Sequence, residues 1–184
     1  MQDVIKESEA RMQKAMEALK KNFAAVRTGR ANPALLDHVM VNYYGAATPL
    51  KQLASISVPE PRMLVVTPYD KTAAAEIEKA ILTSDLGINP RREAGLLRLA
   101  LPEPSEERRK ELVKVTKKEA EESKIAVRNV RRDANDALKK QKADKIITED
   151  VEKVQDKKVQ DLTDKYCAEI DRLLLAKDKE IMEV

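Results

Sequence analysis

Between Val127 and Asp136 the chain reads VRNVRRDAND, which puts Arg128, Arg131 and Arg132 within five residues of a segment that reads as helix. Three guanidinium groups this close suit one kind of chemistry. The planar fork meets a phosphate through two parallel hydrogen bonds and also stacks on bases. A row of such groups on a rigid support is what gripping a nucleic-acid backbone requires. On a wheel at 100° per residue with Arg128 at the origin, Arg132 falls at about +40°, Arg131 at about −60° and Asn135 at about −20°. Lys124, at about −40°, and Lys139, at about +20°, lengthen the row to roughly four turns. Ala126, Val127, Val130, Ala134 and Ala137 gather at roughly 160° to 260° as a narrow core face. Asp133 and Asp136 flank the stripe, and Glu121 interrupts its upstream end. Acids at i+4 that would neutralise it are mostly missing, although Asp136 is within reach of Arg132.

The competing reading is an ordinary solvated helix face, and charge alone leaves both open. A second basic group, Arg27-Thr28-Gly29-Arg30, closes the first predicted helix. A helix C-terminus favours cations there in any case. No aromatics are interleaved with these cations, which argues against reading single-stranded bases by stacking.

Other chemistry is thinly represented. His38 is the single histidine and Cys167 the single cysteine. One His and one distant Cys make neither a metal site nor a nucleophile pair of recognisable spacing. Cys167, beside Tyr166 and Ile170, reads as a small core residue. No glycine-rich phosphate loop occurs, and pairs such as Glu121–Glu122 lie in charged helices. No catalytic residue, metal, cofactor or small-molecule substrate is therefore expected, and an enzyme is not.

The elements that must position the stripe follow from composition. Charged residues make up 36% of the 184, against roughly 25% in an average domain. Net charge is only +3, so a nucleic-acid site must come from local clustering. All four glycines and all eight prolines lie between positions 29 and 104. Both residue types are costly inside helices. Residues 1–29 with 105–184 thus form a helical part, and residues 30–104 a mixed one.

The helical part reads as three long segments: about Asp3 to Arg27, Ser105 to about Lys142, and Thr148 almost to the C-terminus. The second would be a rod of about 55 Å. Val4, Met12, Met16, Leu19, Phe23 and Val26 form a stripe on the first. Val151, Val154, Val159, Leu162, Tyr166, Ile170, Leu173 and Leu174 form one on the third. Helices this long need partners for their apolar faces, and three of them fit an antiparallel bundle. The middle carries strand-like runs HVMVNYY, LASISV, MLVVT and LLRLAL, separated by turn signals YYGAATP, PEPR, TPYD and INPRREAG. A helical pattern from Lys71 to Ser84 shows a partial apolar face of Ala75, Ile77, Ile81 and Leu82. The class is α+β, with one helix on a small sheet inserted into an elongated antiparallel three-helix bundle.

Because the small domain is inserted, two strands of chain join the parts, near residues 28–31 and 101–105. Thr28, Gly29, Arg30 and Ala31 on one side, and Pro102 and Pro104 on the other, are the expected hinge. Gly29 lends freedom and the prolines stiffness. The N-terminus has no apolar signal-like run, and no apolar run approaches the ~18 residues of a membrane span. A cytoplasmic, monomeric protein without membrane contact is expected.

RTGRANPALLDHVMVNYYGAATPLKQLASISV (27–58), EKAILTSDLGINP (78–90), EERRKEL (106–112) and VRNVRRDAND (127–136) together resemble the ribosome recycling factor family, in order along essentially the full chain. The resemblance implies an L-shaped molecule, with the bundle as one arm and a β/α/β domain as the other. It implies a factor that binds the post-termination ribosome on large-subunit rRNA. Elongation factor G, hydrolysing GTP, then drives separation of the subunits. It makes Arg128, Arg131 and Arg132 rRNA contacts, Arg131 foremost, with Lys124 beside them and Arg27 a further contact. Two stretches depart from the family pattern: RREAGLLRLAL, where an Asp-Gly-type turn is more usual, and LPEPSEERR, where LPPLTEERR is common.

Overall fold

The computed structural model describes residues 3–183. Contacts divide the chain into two units, the chain up to Arg27 with Glu107–Glu183, and Thr28–Glu106.

In the helical unit, the Asp3 carboxylate accepts from the Lys6 N–H at 3.2 Å and caps α1, Val4–Ala25. The buried residues Val4, Ser8, Met12, Met16, Leu19 and Phe23 recur at three- and four-residue steps on one face. Helix α4 spans Glu106–Ala143 and α5 spans Glu149–Met182. Thr148 caps α5, its hydroxyl oxygen accepting from the Val151 N–H at 3.3 Å. The turn between them contains neither Gly nor Pro. Lys145 takes φ +58° instead, with its N–H bonded to the Lys142 carbonyl and the Ile146 N–H bonded to that of Gln141. This is the Schellman closure, built on a residue with a Cβ.

Neighbouring helices run antiparallel. Arg11 meets Asp133 and Asn22 meets Glu119, so α1 and α4 run in opposite senses. Lys124 meets Asp171 and Lys142 meets Glu152, so α4 and α5 do too. Met12, Met16, Leu19 and Phe23 of α1 pack with Ala120, Val127 and Val130 of α4 and with Tyr166 and Ile170 of α5. Helix α1 has 22 residues against 38 and 34 for its partners, so the α4–α5 hairpin outruns it. Val4 already packs on Leu138 and Val159, and beyond that level only two helices remain. Val151 and Val154, expected in the apolar stripe, are therefore 40% and 56% exposed. Ala126 is also exposed, not core. The buried face of α4 is Leu112, Thr116, Ala120, Ser123, Val127, Val130, Ala134 and Leu138.

The second unit holds β1 (Met40–Tyr43), β2 (Ala46–Pro49), a helical turn α2 (Leu50–Leu53), β3 (Ala54–Glu60), β4 (Met63–Pro68), α3 (Ala74–Thr83), β5 (Arg91–Glu93) and β6 (Leu96–Ala100). Strands β1 and β2 form a hairpin, and the other four form an antiparallel sheet in the order β3-β4-β6-β5. Ile77 and Ile81 of α3 pack with Leu64 and Val66 of β4, Leu97 and Leu99 of β6, and Val41 of β1. Ala75 and Leu82 face out, so the apolar side of α3 is narrower than the periodicity suggested. Strands β2 and β5 lie within stretches read as turns. Every residue of β5 is exposed, and β2 has no fully buried one, so neither carries an alternating apolar signal.

The segments that enter and leave this unit are both fastened to the turn between β3 and β4. The Ala31 N–H donates to the Pro61 carbonyl at 2.7 Å, and the Leu101 N–H to the Arg62 carbonyl at 2.9 Å. The Arg62 guanidinium pairs with Glu103 at 3.0 Å.

Candidate nucleic-acid interface

A helix of 38 residues anchored along one face by eight buried side chains is a stiff support. Lys124, Arg128, Arg131 and Lys139 stand beside that buried face, toward α5, while Arg132 lies farther round and away from it, and each is held differently. Lys124 is mostly covered, its side chain 20% exposed, and its ammonium engages Asp171 across the helix seam. Arg128 Nη1 lies 3.4 Å from the Glu121 carboxylate two turns upstream. Arg131, half-buried, donates from Nη1 to Gln160 Oε1 at 3.2 Å. Arg132 is exposed and makes no side-chain hydrogen bond or ion pair among the described residues. Lys139 is exposed and forms no ion pair within 4 Å among the described residues.

Acids mostly missing at i+4 along the stripe come instead from α5. Glu152, Asp156, Asp164, Asp171 and Asp178 recur along its α4-facing side. Lys142 meets buried Glu152, Lys124 meets Asp171, and the Thr116 hydroxyl donates to Asp178 at 2.9 Å. The bond to Glu152 raises the Lys142 pKa against some desolvation. The Asp156 pKa is raised as well, but for an acid this disfavours the charged form. Partial burial and the neighbouring Glu152 hold its carboxyl above the usual carboxylate range, despite Lys139 and Lys142 nearby. One of its carboxylate oxygens, Oδ1, is buried without a hydrogen-bond partner. Scanning acids only at i+4 along α4 could not reveal this row, because it belongs to another helix.

The cationic row also continues upstream past Glu121. Lys114 and Lys117, both exposed, fall at about +40° and −20° on the same wheel. Extending the wheel past one acid would have found them. Arg27, two residues beyond α1, is exposed and has no side-chain partner among the described residues. Cys167 packs against the bundle core, and burial pushes its thiol pKa up, partly offset by Arg128 and Lys124. His38 is exposed ahead of β1, and no group of three or more His, Cys, Asp or Glu among the described residues could hold a metal ion. A groove of about 670 Å³ on the small sheet offers Asn89, Arg91, Glu93 and Arg98 but no Ser, Cys or His nucleophile–base pair. No helix of the described residues is long and apolar enough to cross a membrane.

Fold and site together define an α+β protein in which a discontinuous three-helix bundle with a cationic helix face carries an inserted antiparallel domain. The family model described as "Ribosome recycling factor" matches residues 19–182, and the chain belongs to that family. It is 58% identical to the ribosome-recycling factor of Bacillus velezensis over 182 residues, covering 99% of this chain and 98% of that one. Against the factor of Carboxydothermus hydrogenoformans the identity is 54% over 184 residues, the full length of both. A solution structure of a ribosome recycling factor matches with a TM-score of 0.75 at 44% identity, covering 99% of this chain and 97% of that one. A second structure represents the Thermus thermophilus factor and Escherichia coli elongation factor G bound to the E. coli post-termination complex. It matches with a TM-score of 0.63 at 45% identity and covers 97% of each chain.

Proposed function

We propose that this chain is a cytoplasmic, non-enzymatic translation factor. It binds the post-termination ribosome through large-subunit rRNA along the α4 cationic face and, with elongation factor G hydrolysing GTP, separates the subunits. The observation that carries the reading is Arg132, an unpartnered guanidinium on a rigid helix beside Arg128 and Arg131. A solvated structural face would more cheaply carry paired lysines and glutamates. Full-length similarity to ribosome recycling factors, one of them represented with elongation factor G on a post-termination complex, supports the same reading. Arg27 adds a further contact, and Lys124 acts mainly by fixing α5 against α4. The segments 28–31 and 101–105 serve as the hinge through which the partner's push is delivered. Co-sedimentation with purified large subunits tests binding, with a monomeric chain expected to pellet with them at low salt and to be released as salt rises. Light scattering of post-termination ribosomes tests the reaction: scattering should fall only when the chain, elongation factor G and hydrolysable GTP are all present. A chain that stays at the top of the gradient at low salt overturns the proposal and favours a helical adaptor with solvated arginines.

A further inference from the structure

Two levels of the seam between α4 and α5 are closed by ion pairs. Lys142 faces Glu152, and Lys124 faces Asp171. Arg131 also reaches α5, but its partner there is the neutral amide of Gln160, at 3.2 Å. A carboxylate is close by but is turned to another use. The Gln160 Nε2 donates to Asp164 Oδ1 at 2.9 Å, so the amide stands between cation and anion, its oxygen toward one and its nitrogen toward the other. A guanidinium has five N–H donors, and one is spent here.

We propose that Gln160 is a positioning residue for rRNA binding, a neutral spacer that fixes the Arg131 guanidinium while keeping Asp164 from neutralising it. The inference rests on the reading that the α4 face binds rRNA. A glutamate in this place would complete the seam and convert Arg131 into a buffered ion pair like Lys124. The amide gives the same orientation without consuming the charge. An ionised partner would compete directly with an incoming phosphate, whereas an amide oxygen yields at little cost.

The test uses the full-length chain, purified bacterial large ribosomal subunits and a series of KCl concentrations. It compares wild type, Gln160→Glu, Gln160→Met, Arg131→Ala, the double variant Arg131→Ala/Gln160→Glu, and Arg132→Ala. Each phosphate contact contributes about 0.7–0.9 to the slope of log affinity on log salt. Gln160→Glu should flatten the slope by about one contact and weaken binding roughly 5- to 20-fold at low salt. In the Arg131→Ala background the same substitution should change nothing further. Gln160→Met puts no carboxylate on the guanidinium itself but releases both Arg131 and Asp164, so it should weaken binding, though less than Gln160→Glu. Melting curves of the Gln160 variants should overlay the wild type, because the side chain is exposed. A Gln160→Glu effect of equal size with and without Arg131 overturns the proposal, since the added charge then merely repels the ribosome. So does a Gln160→Glu variant that binds as wild type. A normal slope in Arg132→Ala as well would instead remove the underlying reading of the face.

Discussion

Gly29 faces the ring of Pro104 so closely that a Cβ on Gly29 would stand 2.8 Å from Pro104 Cδ and 2.9 Å from Cγ. Gly29 also takes φ +79°, a region L residues adopt at a cost of roughly 1–2 kcal/mol. Both strain terms fall on Gly29→Ala, which is expected to destabilise the small domain by about 1–3 kcal/mol in urea unfolding. Adding Pro104→Ala should recover the steric part and leave the backbone part. A Gly29→Ala protein with unchanged midpoint would mean the two segments separate freely in solution.

The hairpin joining β5 to β6 turns through Ala94 and Gly95, with φ +50° and +81°, and the β1–β2 hairpin turns through Tyr44 and Gly45 in the same way. Two consecutive positive φ values are the type I′ turn, which prefers Asn or Asp at its first position. Alanine there carries a penalty that a side chain able to bond its own backbone reduces. Ala94→Asn should stabilise the chain by about 0.5–1 kcal/mol, measured as a raised urea midpoint with unchanged m-value. A lower midpoint would show that the outer sheet face depends on the Ala94 methyl.

These turns also show where the sequence was readable. The boundaries of α1, α4 and α5 were legible because caps at Asp3 and Thr148 and the confinement of Gly and Pro mark them directly. The break at Lys145 was visible only as a weakening of pattern, since its αL residue is not glycine. Strands β2 and β5 were hidden because edge strands with no buried side chain owe their existence to backbone pairing with β1 and β6. At the cationic face, residue types and wheel position were legible. The state of each charge was not, because Asp171, Gln160 and Asp164 arrive from another helix, beyond the reach of i,i+4 spacing. The exposure of Val151 and Val154 likewise depends on where α1 begins in space.

Asp156 makes stability depend on pH in a specific sense. Its folded pKa is raised above the ordinary 3.8, chiefly by burial and then by Glu152, so the folded chain holds that proton more tightly than the unfolded one. The contribution is present below 3.8 and is lost as pH rises through the folded value. Asp156→Asn removes this loss while keeping the shape. The variant should therefore exceed wild type in melting temperature at pH 7, and the gap should close as pH is lowered below 3.8. A gap of the same size at both pH values would point to packing rather than to ionisation.

Arg132 and Lys124 lie two turns apart on α4, yet the structure separates their roles. Lys124 is mostly covered and tied to Asp171, so Lys124→Ala should lower stability by about 0.5–1.5 kcal/mol, with a smaller loss of ribosome binding. Arg132 is exposed and makes no side-chain hydrogen bond or ion pair among the described residues, so Arg132→Ala should leave unfolding within about 0.5 kcal/mol of wild type. Its cost should appear in ribosome binding, at about 1.5–3 kcal/mol for a charge-assisted bond to phosphate. Arg132→Lys keeps the charge but replaces the planar fork with a point charge, so only part of the loss should return. Full recovery with lysine would mean that this position supplies field rather than geometry. Equal binding losses from Lys124→Ala and Arg132→Ala would mean that the docked shape of the bundle, not an exposed guanidinium, governs affinity. Urea unfolding and salt-dependent co-sedimentation on the same three proteins separate these outcomes.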